Sequence, residues 1–283
     1  MTTEWLIRFL VTITLIEMMM ATGMGVRLHD LRSIGRNSAL LMRAAIANYV
    51  WVPLVTTGLL LWVGSPPLIC AGFLIVATCP GAAYGPPFTA MAGGNVTAAV
   101  GLMVILAASS TVFAPLLLRL LLPLMTESHT LQVDVLSMIV MLILSQLLPL
   151  FAGLAVRHYH PALAARLKPP ADVVSTALNV CVLGLIVAVR FKMLAAIRLQ
   201  AYLGMLALVV ASMAGAWLLG QTGSENRKAM TFTTSVRNVA VALEIATTSF
   251  PASPAVTAVL VYGLFQTLLV ATGAFVWGRL TGF

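Results

Sequence analysis

Long apolar stretches, separated by short connections, run through this sequence from end to end. A helix needs about 20 mostly apolar residues to cross the hydrocarbon core of a bilayer. By that rule the sequence predicts about nine membrane-spanning helices, at about 4–26, 39–63, 67–92, 96–122, 131–156, 171–189, 201–220, 227–250 and 254–279. The longest connection is predicted between the fifth and sixth segments, where Pro161, Pro169 and Pro170 fall.

The scarcity of charge supports the same conclusion. Only 8% of the residues are charged and 60% are hydrophobic, whereas soluble domains carry roughly 25% charged residues. The predicted fold class is therefore an all-α membrane protein, a single polytopic domain over residues 1–283 with the lipid bilayer as its main partner. The net charge of +8 does not indicate nucleic acid, because the cations are spread over short loops. The three cysteines lie in apolar runs without a CxxC, so no metal site or cofactor is predicted.

The distribution of Lys and Arg predicts the orientation, because cytoplasmic loops are enriched in both. An odd number of spans places the termini on opposite sides, and ten loop cations then face five. The ten are Arg27, Arg32, Arg36, Arg43, Arg157, Arg166, Lys168, Arg227, Lys228 and Arg279, and the five are Arg8, Arg119, Arg190, Lys192 and Arg198. The side with ten is predicted to be cytoplasmic, with the N-terminus outside and the chain in the plasma (cell inner) membrane.

Two of the predicted spans are unusual. The third is interrupted by Cys79-Pro80-Gly81 and again by Gly85-Pro86-Pro87, and proline removes a backbone donor and clashes with the preceding turn. The eighth carries a polar patch in mid-span, formed by Thr231, Thr233, Thr234, Ser235, Arg237 and Asn238. A discontinuous helix in the third span is therefore predicted, together with a chemical interruption of the eighth.

These two spans occupy corresponding places in the two halves of the chain. Val96-Thr97-Ala98 follows the third span and Val256-Thr257-Ala258 follows the eighth. The pattern predicts inverted-topology repeats at about 1–125 and 130–283, with the two interrupted helices crossing. Such helices at matched positions are the best sequence pointer to the binding site of a secondary transporter.

Several motifs resemble the bile acid:sodium symporter family. They are the Cys79-Pro80-Gly81, Gly94-Asn95-Val96 and Val100-Gly101 stretch, the Leu147–Leu154 segment, the Arg237–Leu243 segment, and Gly23–Val26 with Leu31. The resemblance covers nearly the whole chain and is closest to the nine-helix form of the family. It implies a core domain and a panel domain, alternating access, and organic anions such as bile acids, pantoate or similar carboxylates and sulfates as substrates. Sodium would drive uptake in that family.

The sodium ligands are where the sequence departs from the family. Hard cations need oxygen ligands, and most of the positions that match the family's ligands have lost them. These positions are Gly85, Pro86, Ala99, Met103, Thr233, Arg237 and Asn48, of which Asn48 alone keeps an amide. Sodium coupling is therefore doubtful, and a sodium or proton gradient or facilitated diffusion stays open.

Arg237 is the residue that most needs compensation, because an arginine in mid-membrane is costly. One hypothesis is that it binds the anionic substrate and supplies the positive charge that sodium supplies in relatives. The other is an internal ion pair with Glu244 or Glu17, the acids well inside predicted spans and also the candidate coupling acids. The predicted substrate site comprises Arg237, Asn238, Ser235, Thr234, Thr233, Asn48, Pro80, Gly81, Gly85 and Pro86.

Other classes of protein fit less well. An intramembrane enzyme is not predicted, because the sequence has no HExxH, no GxSxG and no paired aspartates. A channel would need rings of charge or carbonyl groups along an open pore. A membrane sensor or assembly subunit that does not transport remains the alternative to an organic-anion transporter, because the family's sodium ligands are lost.

Overall fold

A computed structural model describes residues 3–125, 131–195, 199–220 and 223–281, which form helices joined by short connections. In chain order the helices are α1 (Thr3–Gly25), α2 (Leu28–Gly35), α3 (Ser38–Val63), α4 (Pro67–Thr78), α5 (Gly85–Met91), α6 (Val96–Leu121), α7 (Val135–Tyr159), α8 (Pro161–Ala195), α9 (Leu199–Leu219), α10 (Ser224–Ser235), α11 (Val239–Ser249) and α12 (Pro254–Leu280). Seven of the described helices are long and apolar enough to cross a membrane, namely α1, α3, α6, α7, α8, α9 and α12. The prediction of an all-α, multi-pass membrane protein is confirmed.

The remaining membrane segments are two interrupted pairs. The α4–α5 pair lies at the third predicted span, and the α10–α11 pair lies at the eighth. Each pair is broken where the sequence places its proline and glycine clusters or its polar patch. The total of nine spans, the inverted symmetry of the halves and the orientation in the membrane stay predictions.

The connection predicted around Pro161, Pro169 and Pro170 is wrong, because α8 runs continuously through all three prolines. Pro161 opens the helix, where its missing N–H has no intrahelical partner to lose. A helix of 35 residues is about 52 Å long, which exceeds the roughly 45 Å of a whole bilayer. Its first turns therefore extend beyond the hydrocarbon, where water can satisfy the carbonyls that Pro169 and Pro170 leave free.

The outer surface of the bundle is apolar. Trp62 is 84% exposed and Leu280 is 81% exposed, and large apolar side chains are also exposed on α6, α7 and α8. A water-soluble protein does not present so continuous an apolar surface. The exterior is therefore the lipid-facing surface of the bundle.

Three helices, α1, α7 and α8, pack closely on one another and form a layer that we call the panel. Gly23 on α1 and Gly153 on α7 face each other there, and a methyl group on either would collide with the backbone of the other helix. Small residues allow such close approach of membrane helices. Both glycines belong to the motifs that carry the family resemblance, so part of that pattern is explained by this packing.

The other membrane helices, α3–α6 and α9–α12, pack together as a second group, which we call the core. Its two interruptions lie between α4 and α5 and between α10 and α11. Both are buried inside the core, and the panel packs against it through α1, α7 and α8. The fold thus brings the two non-helical segments of membrane depth into the protein interior, which is where irregular backbone is tolerated.

Candidate functional site

The two interruptions contact each other through Asn238. Its backbone N–H donates to the Cys79 carbonyl at 2.8 Å, and its side-chain Nδ2 donates to the Gly81 carbonyl at 3.3 Å. Its Oδ1 accepts from the Val241 N–H at 3.3 Å and caps the first turn of α11. Asn238 therefore joins both breaks and begins the second half-helix, and its polar atoms are committed to the backbone.

The predicted glycines at the first break are explained by tight packing. Gly81 has φ +85°, a conformation that favours glycine, and a side chain there would strike the α6 backbone at Ala107. Gly85 lies against Thr233 across the crossing. Pro80 and Pro86 are buried, and Pro86 lies in the first turn of α5.

The Arg237 guanidinium lies at the centre of the crossing and is buried, with 1% of the residue exposed. Its Nη1 donates to Asn48 Oδ1 at 2.9 Å. Among the residues that the structure describes, its Nε and Nη2 have no hydrogen-bond partner. Cys79, Tyr49 and Tyr262 lie within electrostatic range of the group. A buried cation is thus held at one nitrogen while two further donors are left free.

Asn48 holds that cation from α3. It lies in a π-helical turn, Ala47–Trp51, of the kind that is frequent at functional sites. Besides accepting from Arg237, it donates through Nδ2 to the Ala44 carbonyl at 2.9 Å and to Thr234 Oγ1 at 3.0 Å. Asn48 and Thr234, both predicted as site residues, are therefore parts of the network that fixes Arg237.

The remaining predicted hydroxyls are turned toward their own helix. Thr233 Oγ1 donates to the Ala229 carbonyl at 2.7 Å, and Ser235 Oγ donates to the Phe232 carbonyl at 3.4 Å. Both residues are buried. In this conformation they line the crossing without presenting a free donor.

The ion-pair alternative for Arg237 is wrong in this structure. Glu244 accepts two contacts from the Thr12 hydroxyl of the panel, at 2.9 and 2.8 Å, and Glu17 accepts from the Ser175 hydroxyl. Within the described residues, Arg237 forms no salt bridge.

Gln266 on α12 is a site residue that sequence reasoning missed. It is 1% exposed, its Oε1 accepts from the Arg237 N–H at 3.0 Å, and its Nε2 donates to the Arg237 carbonyl at 2.9 Å. The signal available was the single amide side chain of this mostly apolar helix, since polar side chains in membrane helices need partners.

An apolar cavity of about 680 Å³ lies between α3, α4, α9 and α12. Phe73 lines it and packs edge-to-face on Tyr262, with ring centroids 6.0 Å apart. Tyr262 in turn lies within electrostatic range of Arg237.

Comparison with known sequences identifies the fold. Residues 12–216 match the sequence profile described as SBF, the Sodium Bile acid symporter family. The chain belongs to the Sodium Bile acid symporter family. The matched range covers most of the chain and includes the second half of α1, the first break and the α7 segment, although it ends before the second break at residues 236–238.

Two curated relatives in this family share part of the sequence. The chain is 30% identical over 149 residues to the uncharacterized sodium-dependent transporter YocS of Bacillus subtilis (strain 168), a stretch that covers 53% of this chain and 45% of that protein. It is 29% identical over 165 residues to the probable sodium/metabolite cotransporter BASS1, chloroplastic, of Arabidopsis thaliana, which covers 58% of this chain and 40% of that protein. The matches thus span less than half the length of either relative.

The positions that the bile acid symporter resemblance assigns to sodium ligands present little oxygen in this structure. Gly85, Pro86, Ala99 and Met103 have no side-chain oxygen. Of the remaining positions, Asn48 Oδ1 accepts from Arg237 and the Thr233 hydroxyl bonds to its own helix. The side chains at these positions do not form an oxygen cage for a sodium ion, and the guanidinium adds a positive charge beside them.

Proposed function

We propose that this chain is a secondary transporter of small organic anions that works by alternating access, with Arg237 as the fixed positive charge that binds the substrate. The observation that carries the proposal is the pair of unpartnered donors, Nε and Nη2, on a guanidinium that is 1% exposed. A buried cation without a counter-charge is costly in a membrane. An anion at this position would supply both the charge and the missing acceptors.

The geometry of the free donors supports a carboxylate or an oxyanion of similar shape. In a guanidinium, Nε and Nη2 lie on the same edge, and their N–H groups form a fork that fits two oxygens of one anion. Asn48 occupies Nη1, on the other edge. The substrate would therefore bind side-on through two oxygens, as a carboxylate, sulfate or sulfonate can.

The substitutions at the sodium-ligand positions support uptake without sodium. The relatives are named as sodium-dependent or sodium/metabolite transporters, and in this chain Arg237 would take over the role of the cation. A fixed charge needs no co-bound ion to attract the anion. Transport would then follow the anion gradient or a proton gradient.

The relation between panel and core supports alternating access. Arg237 is enclosed by core residues, so an anion reaches it only after the core helices rearrange as the panel moves. Several hydrogen bonds join panel and core in this conformation, and two of those among the described residues involve a charged side chain. The Thr12 hydroxyl of the panel donates to Glu244 of the core, and Arg190 of the panel donates to the Ala252 carbonyl of the core at 3.0 Å. Both would open in a transport cycle.

Proton coupling, if present, is better placed at Glu244 than at Glu17. Glu244 is 2% exposed and connects core to panel, whereas Glu17 and its partner Ser175 both lie in the panel. A proton on Glu244 would change the contact that opens during transport. A proton on Glu17 would alter contacts inside one rigid layer.

Uptake into proteoliposomes tests the proposal. Pantoate, cholate and taurocholate would be offered separately under a sodium gradient, a proton gradient and neither, with Arg237→Gln as the test variant and Arg36→Gln, at the end of α2, as the matched control. We expect uptake without sodium that Arg237→Gln abolishes and Arg36→Gln leaves intact. Sodium-dependent uptake that survives Arg237→Gln would refute the proposal. Binding of an anion without uptake would favour the sensor or assembly subunit.

A further inference from the structure

Gln266 bonds to both backbone polar groups of Arg237, which belong to the peptide units on either side of its Cα. The two hydrogen bonds, at 3.0 and 2.9 Å, satisfy both the N–H and the carbonyl of the residue at the break. At membrane depth each unsatisfied backbone group costs several kcal/mol. One side chain from α12 therefore stabilises the non-helical conformation of Arg237.

Without this side chain the backbone has an alternative. The Val236 N–H already bonds to the carbonyl four residues before it, at 3.3 Å. The next helical bond would join the Arg237 N–H to the Thr233 carbonyl. To make that bond, Val236 would have to leave its extended conformation, with ψ 114°, for the helical value of about −42°, which would redirect the chain at Arg237. The guanidinium would then leave Asn48 and point elsewhere.

We infer that Gln266 is a positioning residue for Arg237. It ends α10 before Arg237 and so directs Nε and Nη2 to the place where the anion binds, without touching the anion itself. The inference rests on the proposed function, since the anion is what this orientation serves.

The test uses the full-length protein purified in detergent and isothermal titration calorimetry with pantoate. Gln266→Met removes both hydrogen bonds and keeps the length of an unbranched side chain. Thr267→Val, at the next position of α12, removes a hydroxyl that bonds within its own helix at 2.8 Å and is the matched control. Losing two buried hydrogen bonds predicts a fall in pantoate affinity of about tenfold or more, with no change in the control.

Selectivity separates positioning from general loss of stability. A directed fork prefers a planar carboxylate to a spherical anion, so the ratio of pantoate to bromide affinity should fall in Gln266→Met. A variant that is merely less stable would weaken both anions together. Should Gln266→Met not be recovered folded, Gln266→Asn is the second variant, because an amide that is one methylene shorter adds no charge and reaches the two backbone groups less well, so a smaller loss in the same direction is expected.

A measurement made without ligand tests the positioning role of Gln266 separately from anion binding by Arg237. Phenylglyoxal modifies accessible arginines, and mass spectrometry of the Arg237 peptide reports how that side chain is held. We expect slow modification in the wild type and in Thr267→Val, and faster modification in Gln266→Met. If the wild type binds no pantoate, the proposed function fails and the modification rate alone decides the inference. Wild-type rates and wild-type selectivity in Gln266→Met would overturn the inference.

Discussion

The substitution Asn48→Asp separates the anion-binding role of Arg237 from a structural one. The amide oxygen of Asn48 accepts from Arg237 Nη1 at 2.9 Å. A carboxylate at this position would keep the hydrogen bond and add a negative charge about 4 Å from the centre of the guanidinium. The internal ion pair that the structure lacks would then be present, and the site would lose its net positive charge.

The expected effect on binding follows from the charge. The new carboxylate and the bound anion would lie on opposite edges of the guanidinium, about 8 Å apart, where two unit charges repel by about 2 kcal/mol at an effective dielectric constant of about 20. Since about 1.4 kcal/mol changes affinity tenfold, an anion should bind roughly thirtyfold more weakly. The folded protein should not be less stable, because an unpaired arginine in mid-membrane costs about 3 kcal/mol on insertion scales and the new pair offsets part of that cost.

The assay is calorimetric titration with pantoate and taurocholate beside thermal unfolding in detergent, with Asn48→Leu as the contrast. Leucine removes the acceptor and leaves the charge, so it should lower the unfolding temperature and weaken anion binding less than aspartate does. Anion affinity in Asn48→Asp equal to that of the wild type would show that Arg237 is not the anchor. The reasoning from its free donors would then be wrong.

Two further predictions concern acidic residues that do not contact Arg237, namely the pair Glu244 and Glu17, and Asp134. If a proton gradient drives uptake, Glu244→Gln should remove the response to that gradient, while Glu17→Gln should keep it. The measurement is uptake into proteoliposomes at equal and at unequal pH on the two sides. Loss of the response in Glu17→Gln alone would contradict the assignment of proton coupling to Glu244. Asp134 caps α7, and the Ser137 hydroxyl and backbone N–H lower the pKa of its carboxyl below the ordinary value of 3.8. A carboxyl whose pKa is lower in the folded protein stabilises the fold at pH values above its ordinary pKa. This stabilisation is lost as the pH falls through the lowered pKa. The difference in unfolding temperature between the wild type and Asp134→Ala should therefore be present at pH 7 and shrink below about pH 4; a difference independent of pH would refute the charged cap.

Local patterns in the sequence predict much of this fold. Apolar length locates the spans, because each helix must satisfy its own backbone in lipid. The Cys79-Pro80-Gly81 cluster predicts the first break, and α4 indeed ends at Thr78. The second break is predicted only as a polar patch. Asn238, whose side chain caps the following helix, was the cue that the chain itself is interrupted there.

Local sequence patterns do not identify the residues that bond to Arg237. Asn48 is 189 residues away in the chain and Gln266 is 29 residues away on another helix. Spacing along one helix favoured Glu244, which instead bonds to the panel. Pairing across helices depends on how they pack, and one sequence does not reveal which of several polar residues at similar depth will meet.

The kind of residue that surrounds Arg237 bears on its role. A buried arginine that served only packing would be stabilised most simply by an acid, and position 48 lies within hydrogen-bonding reach of the guanidinium, while position 266 reaches the Arg237 backbone. Both are occupied by neutral amides, and no carboxylate of the described residues forms a salt bridge with the guanidinium. The amides fix its place without cancelling its charge. An arrangement that keeps a buried charge oriented and uncompensated is what a site for a transported anion requires, because the counter-charge must be able to arrive and leave.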